Sequence, residues 1–154
     1  MDDDYRKAMN AALKSVSIKF RHSTEIDGKL SDLGYDEAVI KRVIQELERL
    51  GYVDDEDWIE CFVRSRTARK FGKHAILQKL SQKGIPKEAA LHIIDKHQTG
   101  EKQKELIESL LNTRYRSKDL GDFRQKQNVI AGLARKGFSF SLIQEVLEDV
   151  SSQS

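Results

Sequence analysis

Leu30-Ser31-Asp32-Leu33-Gly34-Tyr35, Leu80-Ser81-Gln82-Lys83-Gly84-Ile85 and Leu133-Ala134-Arg135-Lys136-Gly137-Phe138 are one phrase written three times. Three residues separate each leucine from its glycine, an apolar or aromatic residue follows, and the glycines stand 50 and 53 residues apart. Counting on from each glycine, the fifth residue is Val39, Ala89 or Leu142, the ninth Val43, Ile93 or Val146, and the tenth Ile44, Ile94 or Leu147. That spacing is one buried stripe of an α-helix, with glycine supplying the left-handed conformation that closes the helix before it. Two residues past the glycine stand Asp36, Pro86 and Ser139, each suited to open a helix as N-cap or first-turn proline.

A further helical stretch precedes each of these pairs. Residues 5–20 carry Met9, Leu13, Val16 and Phe20, and residues 101–112 carry Leu106, Ile107, Leu110 and Leu111. Residues 55–70 carry Trp58, Ile59, Phe62 and Val63, behind Asp54 as N-cap and the first-turn acids Asp55, Glu56 and Asp57. The reading is therefore all-α: three tandem three-helix repeats, residues 1–50, 51–99 and 100–154, with almost no strand. A repeat this small is marginal alone, so each should lean on the next in an elongated, curved array. Gly51-Tyr52-Val53 is a short, stiff connection, whereas Gln98-Thr99-Gly100 and residues 112–121 read as looser, with flexibility expected toward the carboxy end.

The chain has 154 residues, 38% hydrophobic and 34% charged, the size of one ordinary domain rather than of a large multidomain enzyme. No apolar run is long enough to span a bilayer, and Asp2-Asp3-Asp4 stands where a targeting segment would carry positive charge, so a cytoplasmic monomer is expected. Cys61 is the sole cysteine, which excludes an internal disulfide and a cysteine-based zinc site. The net charge of +2 conceals a strong asymmetry: residues 1–63 carry −6, residues 64–104 carry +8, and the remainder is balanced. The basic middle suits a polyanion or an acidic surface; a solvated helical face rich in Lys and Arg would look the same.

Leu50-Gly51-Tyr52-Val53-Asp54-Asp55-Glu56-Asp57-Trp58, then Phe62-Val63-Arg64-Ser65-Arg66, then Gly72, Ile76, Leu80 and Lys83-Gly84-Ile85 resemble the central signature of the RecX family of bacterial regulatory proteins. Ser23-Thr24-Glu25-Ile26 with Lys29-Leu30 is similar to that family's first repeat, and Arg135-Lys136-Gly137-Phe138-Ser139 with Ile143 to its last. Residues 1–22 and 112–121 match no motif of it. The resemblance implies three tandem three-helix repeats and a protein that binds RecA, the recombinase that polymerises on single-stranded DNA. Relatives of this kind lodge in the groove of the RecA–DNA filament or block its extension, lowering ATP hydrolysis and strand exchange, and catalyse nothing themselves.

Arg64, Arg66, Arg69, Lys70, Lys73, Lys79 and Lys83 lie in a segment without a carboxylate and are the groups that would meet DNA phosphates or an acidic RecA surface. Arg66 and Lys70 also prolong the buried stripe of their helix, so for Arg66 a structural pairing with an acid of a neighbouring repeat competes; Arg69, Lys73 and Lys79 point to a partner. Direct DNA binding should be weak and salt-dependent. Four consecutive acids at a helix start diverge, so Asp54–Asp57 read as capping and not as a metal site, and His22, His74, His92 and His97 lack the spacing of a helical zinc pair. Trp58, Tyr35, Tyr52 and Phe138 read as core, and Cys61 as a small buried apolar residue. No phosphate loop, nucleophile elbow or dinucleotide fingerprint is present, and no cofactor is assigned. Two rival readings are a helix-turn-helix DNA regulator and a helical scaffold for another protein. The first lacks base-reading side chains, since its three second helices would open Asp36-Glu37-Ala38, Pro86-Lys87-Glu88 and Ser139-Phe140-Ser141.

Overall fold

The computed structural model describes residues 2–152. Among them it has nine α-helices and no strand: α1 (Asp2–Ile18), α2 (Ser23–Asp32), α3 (Glu37–Arg49), α4 (Asp55–Ala68), α5 (Lys73–Gln82), α6 (Lys87–His97), α7 (Gly100–Asn112), α8 (Phe123–Arg135) and α9 (Phe140–Ser152). No helix among the described residues is long and apolar enough to cross a membrane.

Helix ends follow the repeated phrase. Gly34, Gly84 and Gly137 take φ of 89°, 82° and 106° just past α2, α5 and α8, and Gly51 does the same past α3 at 81°. After Gly34, Gly51 and Gly137 the next residue donates its N–H to the carbonyl of the leucine five residues before it: Tyr35 to Leu30 (3.2 Å), Tyr52 to Leu47 (2.9 Å) and Phe138 to Leu133 (3.2 Å). These are Schellman closures, in which glycine avoids the Cβ cost of the left-handed region. The end of α4 makes the same two bonds, Lys70 N–H to Thr67 O at 2.9 Å and Phe71 N–H to Arg66 O at 3.0 Å, with Lys70 at φ 64° in the glycine position. Lys70 therefore lies beyond the helix and does not prolong its stripe as the spacing suggested.

Helix starts vary. Ser139 caps α9, its Oγ accepting the Leu142 N–H at 3.2 Å. Asp36 occupies the N-cap of α3 without a side-chain bond, and Pro86 stands at the N-cap of α6 rather than inside its first turn. Thr99 caps α7 through Oγ1 to the Lys102 N–H at 3.1 Å, and Asp54 caps α4 through the Asp57 N–H at 3.1 Å.

The chain divides into two compact units. The first runs to Cys61 and includes Lys83–Ile85. There α1, α2 and α3 pack on one another around Ala8, Ala12, Ile26, Leu30, Val39, Ile40, Val43, Leu47 and Val53. The buried face of α1 is Ala8, Ala12 and Ser15, one position ahead of the predicted stripe; Met9, Leu13 and Val16 are only half-buried and Phe20 is exposed beyond the helix end. Small residues there let α1 approach α3 closely, so the bulky apolar positions flank the seam instead of forming it.

The second unit takes Phe62–Gln82 and the chain from Pro86 onward. A core cluster of it comes from α7, α8 and α9 with Phe138: Leu106, Ile107, Leu110, Leu111, Val129, Ile130, Leu133, Phe138, Ile143, Val146 and Leu147. Residues 112–121 are anchored to it, because Tyr115 and Leu120 pack on this cluster and a Cβ on Gly132 would collide with the Tyr115 hydroxyl. Gln98, read as part of a loose connection, is buried. Its Nε2 donates to Thr67 Oγ1 (3.0 Å) and Phe71 O (2.7 Å), while its main-chain carbonyl accepts from Gln103 Nε2 at 3.1 Å. Three further expectations are corrected. Cys61 is exposed, lying between the inward positions Ile59 and Val63; Tyr52 is half exposed, its turn burying Val53 instead; and Ala89 is exposed.

Candidate functional site

The turn between α4 and α5 carries Phe71, whose ring gathers cations. Lys136 Nζ lies 4.0 Å from its centroid, and the guanidinium carbons of Arg69 and Arg66 lie 5.3 and 5.7 Å away. Arg66 is also 4.8 Å above Phe62. The negative face of an aromatic ring attracts cations, by about 0.5–2 kcal/mol each depending on desolvation, so the rings hold these side chains in place without neutralising them. Among the described residues the partners found for Arg66 are thus the Phe62 and Phe71 rings rather than the acid expected from a neighbouring repeat.

Lys136 is 67 residues from Arg69, and a backbone clasp brings it there. The Gly72 N–H donates to Lys136 O at 2.7 Å and the His74 N–H to Gly137 O at 3.0 Å. The two turns touch so closely that a Cβ on Gly72 would stand 2.5 Å from the Gly137 carbonyl carbon, and one on Gly137 2.5 Å from Ala75 N. From this position Lys136 Nζ donates to Arg69 O at 3.1 Å. Partial burial, and then the neighbouring charges of Arg114, Arg69 and Lys70, hold the Lys136 ammonium below its ordinary range. Five cations, Arg66, Arg69, Lys70, Arg114 and Lys136, gather around this turn, and a bound anion would relieve their repulsion.

Beside Phe71 opens a cleft of about 320 Å³. Ala75, Ile76 and the ring supply an apolar part; Arg66, Lys79 and Arg135 supply charge; Gln78 and Gln82 stand on α5. Among the described residues no carboxylate lines it.

The segment read from sequence is dispersed among several environments. Arg66, Arg69 and Lys70 belong to the Phe71 cluster, and Lys79 to the cleft. Lys73 is bound to Asp95 at 2.7 Å, so its charge is compensated within the fold. Arg64 is exposed on α4. Lys83 belongs to the first unit, 5.7 Å from the Trp58 ring. Phe71, Arg114, Arg135 and Lys136 were missed. The Arg135-Lys136 pair directly before the third helix-closing glycine was the available signal for two of them, but nothing in local spacing shows which turn that glycine meets.

The acids at the start of α4 have structural work. Asp55 accepts the Ser23 N–H at 2.7 Å and the Ser23 hydroxyl, and lies 3.5 Å from His22 Nε2.

The family models of RecX match this chain in two places, the second three-helix domain at residues 54–90 and the third three-helix domain at residues 101–147. Regulatory protein RecX of Mycobacterium sp. (strain JLS) is 35% identical over 142 residues, covering 88% of this chain and 76% of that protein. Regulatory protein RecX of Mycobacterium leprae (strain Br4923) is 31% identical over 151 residues, covering 96% and 87%. Among solved structures, RecX from Lactobacillus salivarius superposes with a TM-score of 0.81 at 29% identity, covering 98% of this chain and 99% of that one.

Proposed function

The chain belongs to the RecX family of regulatory proteins, and from that premise we propose that it binds the RecA recombinase on single-stranded DNA and lowers its ATP hydrolysis, filament extension and strand exchange. It acts in the cytoplasm as a monomer, through three repeats spanning residues 1–50, 51–99 and 100–154, and carries no catalytic centre of its own. Family membership over nearly the whole chain carries this reading. The cations gathered around Phe71 support it, because a filament of recombinase and DNA is a long anionic partner. The contact residues in the second unit are Arg64, Arg66, Arg69, Lys70 and Lys79 of the basic segment with Arg114, Arg135 and Lys136, and Lys73 contributes through its hold on Asp95; Lys83 is the contact residue of the first unit.

The test is a titration of this protein into RecA on single-stranded DNA while ATP hydrolysis is followed. Inhibition should set in well below one molecule per RecA protomer. Reversing Arg69→Glu together with Lys70→Glu should raise the amount required by about tenfold, in line with the loss of close charge pairs at an interface. Undiminished inhibition by the folded double variant rejects the surface. Absence of inhibition by the unaltered protein rejects the reading.

A further inference from the structure

The cleft beside Phe71 joins features that one class of ligand satisfies together. We propose that it docks an acidic peptide strand bearing an apolar side chain, contributed by the protein component of the partner rather than by its nucleic acid. This rests on the reading above, that the basic face meets a recombinase filament, and it assigns this part of the face to protein.

Charge complementarity sets the sign of the ligand: Arg66, Lys79 and Arg135 line the cleft, and no acid among the described residues does. Guanidinium groups pair with carboxylates in a two-pronged geometry, and two of these three cations are arginines. The apolar part, from Ala75, Ile76 and Phe71, gives an aliphatic side chain a dry contact, and the cleft of about 320 Å³ has room for one. A nucleobase would need a whole free ring face to stack on, and Lys136, Arg69 and Arg66 lie 4.0–5.7 Å from the Phe71 centroid, whereas an aliphatic side chain needs only Ala75 and the part of the ring that lines the cleft. Gln78 and Gln82 stand one turn apart on α5, and each carboxamide offers both donors and an acceptor. A peptide main chain returns both kinds of hydrogen bond. A phosphodiester offers acceptors alone and would leave the glutamine carbonyl oxygens unmatched.

The experiment measures the full chain against fluorescein-labelled Glu-Glu-Leu-Glu-Leu-Glu by fluorescence anisotropy, alongside the same peptide with Ser in place of Leu and an oligothymidylate of equal charge. The leucine peptide should bind, the serine peptide about tenfold more weakly for want of buried apolar area. Lys79→Glu with Arg135→Glu, both at exposed positions, should weaken the leucine peptide about tenfold or more while circular dichroism stays unchanged. Gln78→Ala with Gln82→Ala should weaken the peptide and leave the oligothymidylate unaffected. The proposal is overturned if the leucine peptide does not bind, if its binding ignores these substitutions, or if the oligothymidylate binds more tightly and through Lys79 and Arg135. The RecA titration separates the two ideas: inhibition without peptide binding removes the docking site alone, and peptide binding without inhibition removes the proposed function alone.

Discussion

His22 is buried at the N-cap of α2, its Nδ1 accepting the Thr24 N–H at 3.1 Å while Glu25 returns a bond to the His22 N–H at 3.2 Å. Nothing in its sequence position announced this, because histidine is not among the usual capping residues and only the closing of α2 on the start of α4 makes the geometry. Burial, opposed by the Asp55 and Glu25 carboxylates, holds the imidazole below the ordinary histidine range. As pH falls through about 6.5, the unfolded chain therefore takes up this proton before the folded one, and the stability present at higher pH is lost. Trp58, the only tryptophan, sits edge-on at 5.4 Å and supplies the signal. Urea midpoints read from its fluorescence should fall between pH 7 and pH 5, and His22→Asn, which keeps a capping side chain, should flatten much of that slope; an unchanged slope would clear His22 of responsibility. Lys70 is a second residue that pattern could not place. Its φ of 64° forces a side chain into the left-handed region, so Lys70→Gly should raise the unfolding free energy by about 1 kcal/mol, read as a higher urea midpoint, at the expense of one cation of the cluster.

At the scale of elements, the helix-closing glycines look equivalent in sequence and are not equivalent in space. Gly84 has φ 82° with nothing within 4 Å of an added Cβ, so Gly84→Ala should cost about 1–2 kcal/mol for backbone strain alone. Gly137 combines φ 106° with an added Cβ 2.5 Å from Ala75 N, so Gly137→Ala should cost distinctly more, about 3 kcal/mol or above, and loosen the Phe71 cluster with it. Chemical denaturation followed by circular dichroism checks both; equal losses would mean the two turns do not depend on their close approach. The periodicity of α7 was fully legible, since Leu106, Ile107, Leu110 and Leu111 are all buried. The seam of α1 was not, because Ala8, Ala12 and Ser15 carry little hydrophobic signal and their larger neighbours shift the apparent stripe by one position.

For the molecule as a whole, the all-helical plan and the position of the basic segment were readable because both are sums over many residues. The candidate site was readable only in part: Arg66, Arg69, Lys70 and Lys79 are there, but Arg114, Arg135 and Lys136 arrive through tertiary contact. The same charge asymmetry should show in kinetics. Association with RecA filaments should slow as ionic strength rises, and Lys79→Glu with Arg135→Glu should lower the association rate more than it raises dissociation, as rim charges do. Stopped-flow mixing at two salt concentrations decides this, and a salt-independent rate would discount steering. The clasp between the α4–α5 and α8–α9 turns has one more consequence. The Gly72 and His74 amides, at the open start of a helix where such groups ordinarily face water, are instead donated to Lys136 O and Gly137 O. Deuterium should therefore enter these two sites slowly, giving a pair of built-in reporters that brighten or fade with whatever settles on the neighbouring cations.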